Sequence, residues 1–347
     1  MEKFKVCILA AGIGSRSFNT NVNKGLLPLN KKAIISHIID KFKNETEFVI
    51  AVGYQSSYLI EYLSLYYPKK KFIFVKIDKY FGPGSGPGYS LLKCEKYLKS
   101  PFILTTADMI TLEKIKYPDE NWLGVAPVKN TTDFCTVKVQ DDKVIRIDDK
   151  TQNDNRLAWI GLAGIKDYKI FFKSLKENTS LKKNELQVSN GLHSLIPRTL
   201  KIKNHSWYDT GSVENYKITK ETFEKENIDF SKPNEIFYSN DNQILKFFAD
   251  QKKVKNLSVR WKNLKKVLPK GFKNKNNFIF YKKFSGFPLY QVLDRSILER
   301  LILYLEKNIW KERKLQNVSL FKRNCLNFYK RKTYDRIKSF HQNENFI

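Results

Sequence analysis

The stretch ILAAGIGSRSFNTNVNKGLLPL, Ile8 to Leu29, decides how the chain is read. An apolar run, Val6 to Ala11, enters a turn with Gly12 and Gly14, and the polar segment behind it carries Arg16 and Lys24. Glycine lets backbone N–H groups approach a ligand and take up φ > 0, and clustered N–H dipoles with two cations suit a polyphosphate. The pattern predicts a strand ending in a phosphate-holding loop. Neither of two commoner glycine loops fits: a dinucleotide fingerprint needs glycine where Ser17 stands, and a Walker A loop ends in Gly-Lys-Ser/Thr. A strand-to-helix turn without ligand is the alternative on these residues alone.

Outward from this loop, strand-like and helix-like runs alternate. Lys5 to Leu9, Phe48 to Val52 and Phe72 to Ile77 read as strands, Ala33 to Phe42 and Ser56 to Tyr66 as helices. The strands are too apolar to be half exposed, which predicts a parallel sheet covered on both faces. Phe81-Gly-Pro-Gly-Ser-Gly-Pro-Gly88 then leads into a helix over Tyr89 to Tyr97, so its four glycines make a second loop able to approach a ligand. Pro101 to Asp108 is a strand ending in a carboxylate, at the end of the sheet where ligands of open α/β folds sit. From Trp122 to Ile165 short strands alternate with turns, at Leu123 to Val128, Cys135 to Val139, Lys143 to Ile147 and Leu157 to Ile165, and are expected to extend the sheet and form a smaller, substrate-side lobe. Helices are expected at Asp167 to Glu177 and near Leu186 to Leu195.

Taken together, Leu9-Ala10-Ala11-Gly12-x-Gly14-x-Arg16 and Lys24-x-Leu26-x-Pro28-Leu29 resemble the signature of the sugar-1-phosphate nucleotidyltransferases, which also make CDP-alcohols. The resemblance covers roughly residues 1 to 226 and implies a Rossmann-like α/β fold with a mixed, mostly parallel sheet. It implies that the loop Leu9 to Gly14 wraps a nucleoside triphosphate, that Arg16 meets its phosphates, and that Lys24 holds the α-phosphate and the incoming phosphate. Ser85, Gly86 and Gly88 fall where that family contacts the base. Asp108, in Thr-Thr-Ala-Asp-Met, and Asp209, in Trp-Tyr-Asp-Thr-Gly with Tyr216 beyond, fall at its two metal-binding segments. Two carboxylates with phosphate oxygens suit Mg²⁺. Asp149 and Lys150 fall where the family has Glu-Lys-Pro, as candidate contacts to the acceptor and its phosphate, and equally suit a solvated turn. The chain departs from the family at Asn23, usually proline, and at Ala107, usually glycine.

Residues 230 to 234 read as a linker between a domain spanning 1 to 229 and a second one spanning 235 to 347. Beyond it, two β-type runs around a polar turn, Lys246, a strand at Phe278 to Tyr281 and an amphipathic helix at Leu298 to Trp310 resemble the α+β N-terminal lobe of small-molecule kinases of the choline and aminoglycoside type. Lys246 matches their ATP-phosphate lysine. Their His-x-Asp catalytic loop has no counterpart, because the only histidine beyond residue 205 is His341, in His-Gln-Asn-Glu. A remnant lobe without phosphotransfer, or an unrelated basic accessory domain, is expected.

Composition bounds the rest. With 41% hydrophobic residues and no run of membrane-spanning length, a soluble globular protein is expected. Glu2 and the short apolar stretch argue against a secretory leader, and Cys7, Cys94, Cys135 and Cys325, with no CxxC pair, suit reduced thiols of a cytoplasmic protein. The net charge of +28 is uneven: residues 231 to 347 hold 27 Lys and Arg against 9 Asp and Glu, or +18. Anionic substrates and a lysine-rich composition account for it better than nucleic acid, for which no recognition module is visible. The expected partners are an NTP and a phosphorylated acceptor, a sugar 1-phosphate or a small phosphoalcohol or amino compound. The expected product serves surface-glycan synthesis. The reading from another class is a basic scaffold protein without catalysis.

Overall fold

A computed structural model describes residues 4–13, 22–224, 231–232, 234–287, 289–310 and 317–344. Gly14 and Arg16, two of the loop residues singled out above, lie outside the described residues. So do Phe230 and Pro233 of the expected linker.

Apolar alternation becomes βα units in the first hundred residues. Strand β1 (Lys5–Ala10) is followed by α1 (Ile34–Ile39), β2 (Glu47–Val52), α2 (Ser56–Tyr66), β3 (Lys71–Lys76), α3 (Pro87–Cys94) and β4 (Phe102–Thr106). The next strands are β5 (Trp122–Pro127), β6 (Cys135–Gln140), β7 (Lys143–Asp149) and β8 (Leu157–Ile165). Helix α4 (Tyr168–Glu177), strand β9 (Lys201–Asn204) and helix α5 (Val213–Phe223) complete this part. The nine strands form one sheet in the order β3-β2-β1-β4-β8-β5-β9-β7-β6.

Parallel pairing holds from β3 through β2 and β1 to β4, and again between β5 and β9. Strand β8 runs antiparallel to β4, β5 and β6, and β7 antiparallel to β6 and β9. The sheet is therefore mixed as expected, but its second half is largely antiparallel. The physical reason is local: β6 and β7 are joined by the two-residue turn Asp141-Asp142, both at positive φ, and such a hairpin returns antiparallel. The parallel half, buried on both faces, supplies Val6, Ile8, Phe48 and Ile50 to one core layer and Cys7, Leu9, Val49 and Ala51 to the other.

The strands after residue 234 differ most from expectation. Strands β10 (Glu235–Ser239) and β11 (Gln243–Phe248), helix α6 (Gln251–Asn263), and strands β12 (Lys273–Lys275) and β13 (Phe278–Lys282) make a sheet ordered β10-β11-β13-β12. Compact units divide at Phe284 and Ser285 rather than in the expected linker, so this sheet belongs to the first unit. Ile236, Tyr238, Leu245, Phe247 and Phe278 lie in the same apolar core as α1, α2 and β1. The Tyr238 ring packs 4.7 Å from that of Tyr62 in α2, and Tyr238 Oη donates to Leu26 O at 2.5 Å. Ser239 N donates to Lys31 O at 2.7 Å.

The second unit, Ser285–Ile347, contains α7 (Arg295–Asn308), α8 (Val318–Leu326) and α9 (Lys332–Glu344), the last two joined by a π-helical turn at Asn327–Arg331. No residue of α7 or α8 is buried.

Two stability predictions follow from these contacts. Tyr238 is fully buried, so Tyr238→Ala costs about 3–5 kcal/mol, as large-to-small core changes do, and Tyr238→Phe about 1 kcal/mol through the lost bond to Leu26. Chemical denaturation read by circular dichroism checks both; equal stability of wild type and Tyr238→Ala would place the sheet outside the core. Burial is the main cause lowering the pKa values of His37, His193 and His205 below 6.5. The unfolded chain then binds protons that the folded one refuses, so stability is intact above pH 6.5 and falls as pH drops below it. His37→Gln, which keeps a donor for Leu29 O, should lose less stability between pH 6.5 and 5 than wild type in a thermal melt.

Candidate active site

The C-terminal ends of β1 and β4 open into a cleft of about 670 Å³. Gly12, Lys24, Asp108, Asp149, Lys150 and Asp209 all line it, so six of the residues picked from sequence converge on one space. Leu9, Ala10 and Ala11 are buried beneath it. Their carbonyls accept hydrogen bonds from Ala107 N, Asn23 Nδ2 and Tyr54 N.

Lys24 opens a 3-10 turn, Lys24–Leu26, whose position is fixed by Asn23. The Asn23 side chain accepts from Gly25 N at 2.9 Å and donates to Ala10 O at 2.9 Å and Tyr54 O at 3.1 Å. One buried amide thus ties the turn to the ends of β1 and β2. Its φ of −59° is the angle to which a proline is confined, so the departure from the family's proline keeps the backbone shape. The Lys24 ammonium reaches across the cleft to pair with Asp108 Oδ2.

Asp108 and Asp209, about a hundred residues apart, are brought together by a two-stranded ladder. Met109 stands opposite Asp209 and Ile110 opposite Tyr208, while Thr210 donates to Asp108 O from its N–H at 3.0 Å and its hydroxyl at 2.8 Å. Asp209 accepts from Gly211 N at 2.9 Å and from Asn215 Nδ2 at 2.5 Å. Tyr216 pins α5 beside the loop by donating to Pro28 O.

The two carboxylates face the same point. A Cβ built on Gly211 would stand 3.0 Å from Asp209 Oδ1 and 3.4 Å from Asp108 Oδ2, so glycine here leaves the space between them open. Burial raises the Asp209 pKa, and the neighbouring Asp108 charge adds to the rise. Burial pushes Asp108 in the same direction, but the Lys24 ammonium and its hydrogen bond outweigh it and hold the carboxyl below the ordinary range. An all-oxygen pair with mutual repulsion and open space between suits a hard divalent cation completed by phosphate oxygens and water. No group of three or more His, Cys, Asp or Glu forms a protein-only metal cage among the described residues.

The second glycine loop is placed differently from expectation. Ser85 is buried, its carbonyl accepting from Leu186 N at 2.7 Å. A Cβ on Gly86 would meet Leu186 O at 2.7 Å, and one on Gly88 would meet Gln187 O at the same distance. Their glycines serve close packing against residues 185 to 187, and none of the three lines the cleft. Tyr80, Phe81 and Gly82, just upstream, do.

Asp149 is buried at the end of β7, where Ser189 Oγ donates to its Oδ2 at 2.5 Å. Lys150 follows with a φ of 53° and approaches Glu185 at 3.9 Å. The solvated-turn reading of Asp149 therefore gives way to a cleft position. Phe134, Trp159, Ser189 and Trp207 line the same region and carried no distinguishing signal, except that Trp207 stands two residues before Asp209.

Lys246, by contrast, lies apart from these cleft residues. On β11 its ammonium sits 5.6 Å from the Phe237 ring and 6.0 Å from that of Tyr281, and burial lowers its pKa. Helix α6, QKKVKNLSVRWKN, offers it no carboxylate.

Comparison with known proteins agrees with the architecture. Residues 6–115 match the MobA-like NTP transferase domain. The bifunctional protein GlmU of Methanococcus vannielii is 28% identical over 204 residues, 54% of this chain and 47% of that protein. GlmU of Methanocaldococcus jannaschii is 29% identical over 220 residues, 59% of this chain and 50% of that protein. The chain spans about half the length of the curated relatives it matches. Among solved structures, a putative glucose-1-phosphate thymidylyltransferase from Bacillus anthracis superposes with a TM-score of 0.55 at 21% identity, over 66% of this chain and 98% of that one. The CTP:phosphocholine cytidylyltransferase of Streptococcus pneumoniae gives 0.53 at 21% identity, over 64% and 100%. The α/β fold, with its mixed sheet, is that of the nucleotidyltransferases.

Proposed function

We propose that the chain is a Mg²⁺-dependent nucleotidyltransferase that joins an NTP to a phosphorylated acceptor and releases pyrophosphate. The observation that carries this reading is the convergence of Lys24, Asp108 and Asp209 on one cleft beneath a glycine turn. An oxygen of the acceptor phosphate forms the new bond to the α-phosphorus as the bond from that phosphorus to the bridging oxygen breaks. The electron pair leaves with pyrophosphate. The attacking phosphate is already anionic at neutral pH, so the site needs no general base, and catalysis is alignment with neutralisation of developing charge.

Each residue then has a task. Lys24 clamps the α-phosphate and the incoming phosphate, with Arg16 as a second phosphate contact and Gly12 giving backbone access. Asp108 and Asp209 would hold Mg²⁺, which when bound neutralises phosphate oxygens. Lys150 meets the acceptor phosphate and Asp149 the acceptor itself. Tyr80, Phe81 and Gly82 replace the downstream glycines as the wall beside the base.

The likeness to the pneumococcal enzyme, whose name specifies CTP, supports CTP as donor; surface-glycan precursor synthesis in the cytoplasm is the setting we propose. Four free cysteines and the absence of a membrane-crossing helix among the described residues are compatible with that setting. Residues 235 to 347 we read as descended from a kinase N-lobe, because strand, strand with Lys246, helix, strand and strand follow in that order. Helix α6 carries no carboxylate to pair with Lys246, and no His-x-Asp motif occurs within residues 235 to 347.

Two experiments test the reading. Pyrophosphate release should appear with Mg²⁺, one NTP and a phosphorylated acceptor, and Lys24→Ala should lower kcat about 10²–10³-fold, the cost of one preorganised charge-stabilising group. Undiminished turnover in Lys24→Ala would sink the assignment. Asp209→Asn should abolish turnover yet raise the melting temperature in metal-free buffer at pH 7.5, because it removes a repulsion the fold otherwise bears. A lower melting temperature would mean that Asp209 is structural.

A further inference from the structure

The end of the cleft beyond Lys24 has its own character. Phe134, Trp159 and Trp207 line it, with the Phe134 and Trp207 rings edge to face at 5.0 Å. Asp133, Asp149 and Glu185 stand among them. Two of these carboxylates have a lysine nearby: Lys183 lies 3.9 Å from Asp133, and Lys150 3.9 Å from Glu185.

Asp149 has none. It is 8% exposed, its Oδ2 is satisfied by Ser189, and its Oδ1 is buried with no hydrogen-bond partner among the described residues. Trp207 Nε1, also buried, has no hydrogen-bond acceptor among the described residues. Orphaned groups of this kind are rare in folded proteins, and the Asp149 oxygen asks for a ligand that donates a hydrogen bond. Aromatic faces carry negative quadrupole potential, so they and a carboxylate without an ion-pair partner favour the same thing, a cation.

We infer that this end of the cleft receives an ammonium group, so that the acceptor is a small phosphorylated amino alcohol rather than a neutral sugar phosphate. The inference rests on the transferase reading for the phosphate half of the acceptor and on Asp149, Phe134, Trp159 and Trp207 for the other half. A sugar hydroxyl would satisfy Asp149 Oδ1 but leave the charge unmatched and gain nothing from the rings. Lys150, the residue next to Asp149, turns through a left-handed backbone conformation so that both side chains line the cleft. Contacts for phosphate and ammonium thus come from adjacent residues, which calls for a short spacer between the two charges. An acceptor of this kind must be supplied by a reaction that phosphorylates the amino alcohol.

The full chain with CTP and Mg²⁺ should turn over phosphoethanolamine or phosphocholine with kcat/KM at least tenfold above glycerol 3-phosphate and glucose 1-phosphate. Asp149→Asn should shrink that ratio mainly through a higher KM for the cationic acceptors. A preference for the neutral acceptors would overturn the inference, as would an unchanged ratio in Asp149→Asn. Binding is measured separately, by tryptophan fluorescence during titration with phosphoethanolamine, phosphocholine and glycerol 3-phosphate without NTP. Saturable quenching by a cationic compound alone, weakened in Asp149→Asn, supports the ammonium subsite even if no acceptor yields pyrophosphate, an outcome that would count against the transferase reading only. Quenching by none of them, or equally by all, overturns the inference.

Discussion

Holding two carboxylates against one another in a half-enclosed cleft is the constraint on which this structure turns. Asp108 and Asp209 share the space left open by Gly211, and their mutual repulsion, added to burial, makes the ionised form of Asp209 costly. Lys24 compensates Asp108 directly, and two hydrogen-bond donors, Gly211 N and Asn215 Nδ2, support Asp209. Neither device removes the repulsion. A cleft that holds two buried carboxylates this close is therefore bound to be a weak point of the folded chain, and the surrounding elements can be understood as its restraint.

That restraint comes from remote parts of the sequence. The ladder between Met109–Ile110 and Tyr208–Asp209 locks the two acidic segments in register, and Tyr216 holds the following helix to Pro28. On the other side Tyr238, 212 residues beyond Leu26, donates to the carbonyl of the turn that begins with Lys24. The sheet β10-β11-β13-β12 is thus a buttress for the turn that carries Lys24, whatever its ancestry. Its apolar inner face, Tyr238, Leu245, Phe247 and Phe278, would otherwise be exposed, and α1 and α2 provide the surface that covers it.

How much of this was legible depends on whether a signal is local. Apolar runs bounded by turns placed β1, β2, β4, β8 and α2 nearly residue for residue, because their burial follows from their own composition. Direction of pairing was less legible: nothing in the apolar pattern of Leu157 to Ile165 says that β8 turns antiparallel to β4. Lys24, Asp108 and Asp209 were found as an ordered set, since each sits just after a strand in a recognisable segment. Ser189 and Trp159 were not, because their role comes from a side chain 40 residues away or from a cavity wall, and neither leaves a trace in neighbouring residues. The packing of the second glycine loop was not legible for a related reason. Glycine is needed wherever backbone approaches something closely, and at Gly86 and Gly88 the something is another segment of the chain.

Asn23 makes the same point in reverse. Proline before the lysine would fix φ covalently and reduce the freedom of the unfolded loop, which is one way to preorganise a phosphate site. This chain reaches the same backbone angle with a residue free to leave it, and holds it there by three hydrogen bonds from one amide, two of them to the ends of neighbouring strands. The restraint then depends on β1 and β2 being in register and on the amide being shielded from water, where its bonds are worth most. Position of Lys24 becomes a property of the folded sheet rather than of the loop. The cleft residues and the core that supports them are for that reason parts of one cooperative structure, and a change deep under β1 would be felt at the Lys24 ammonium.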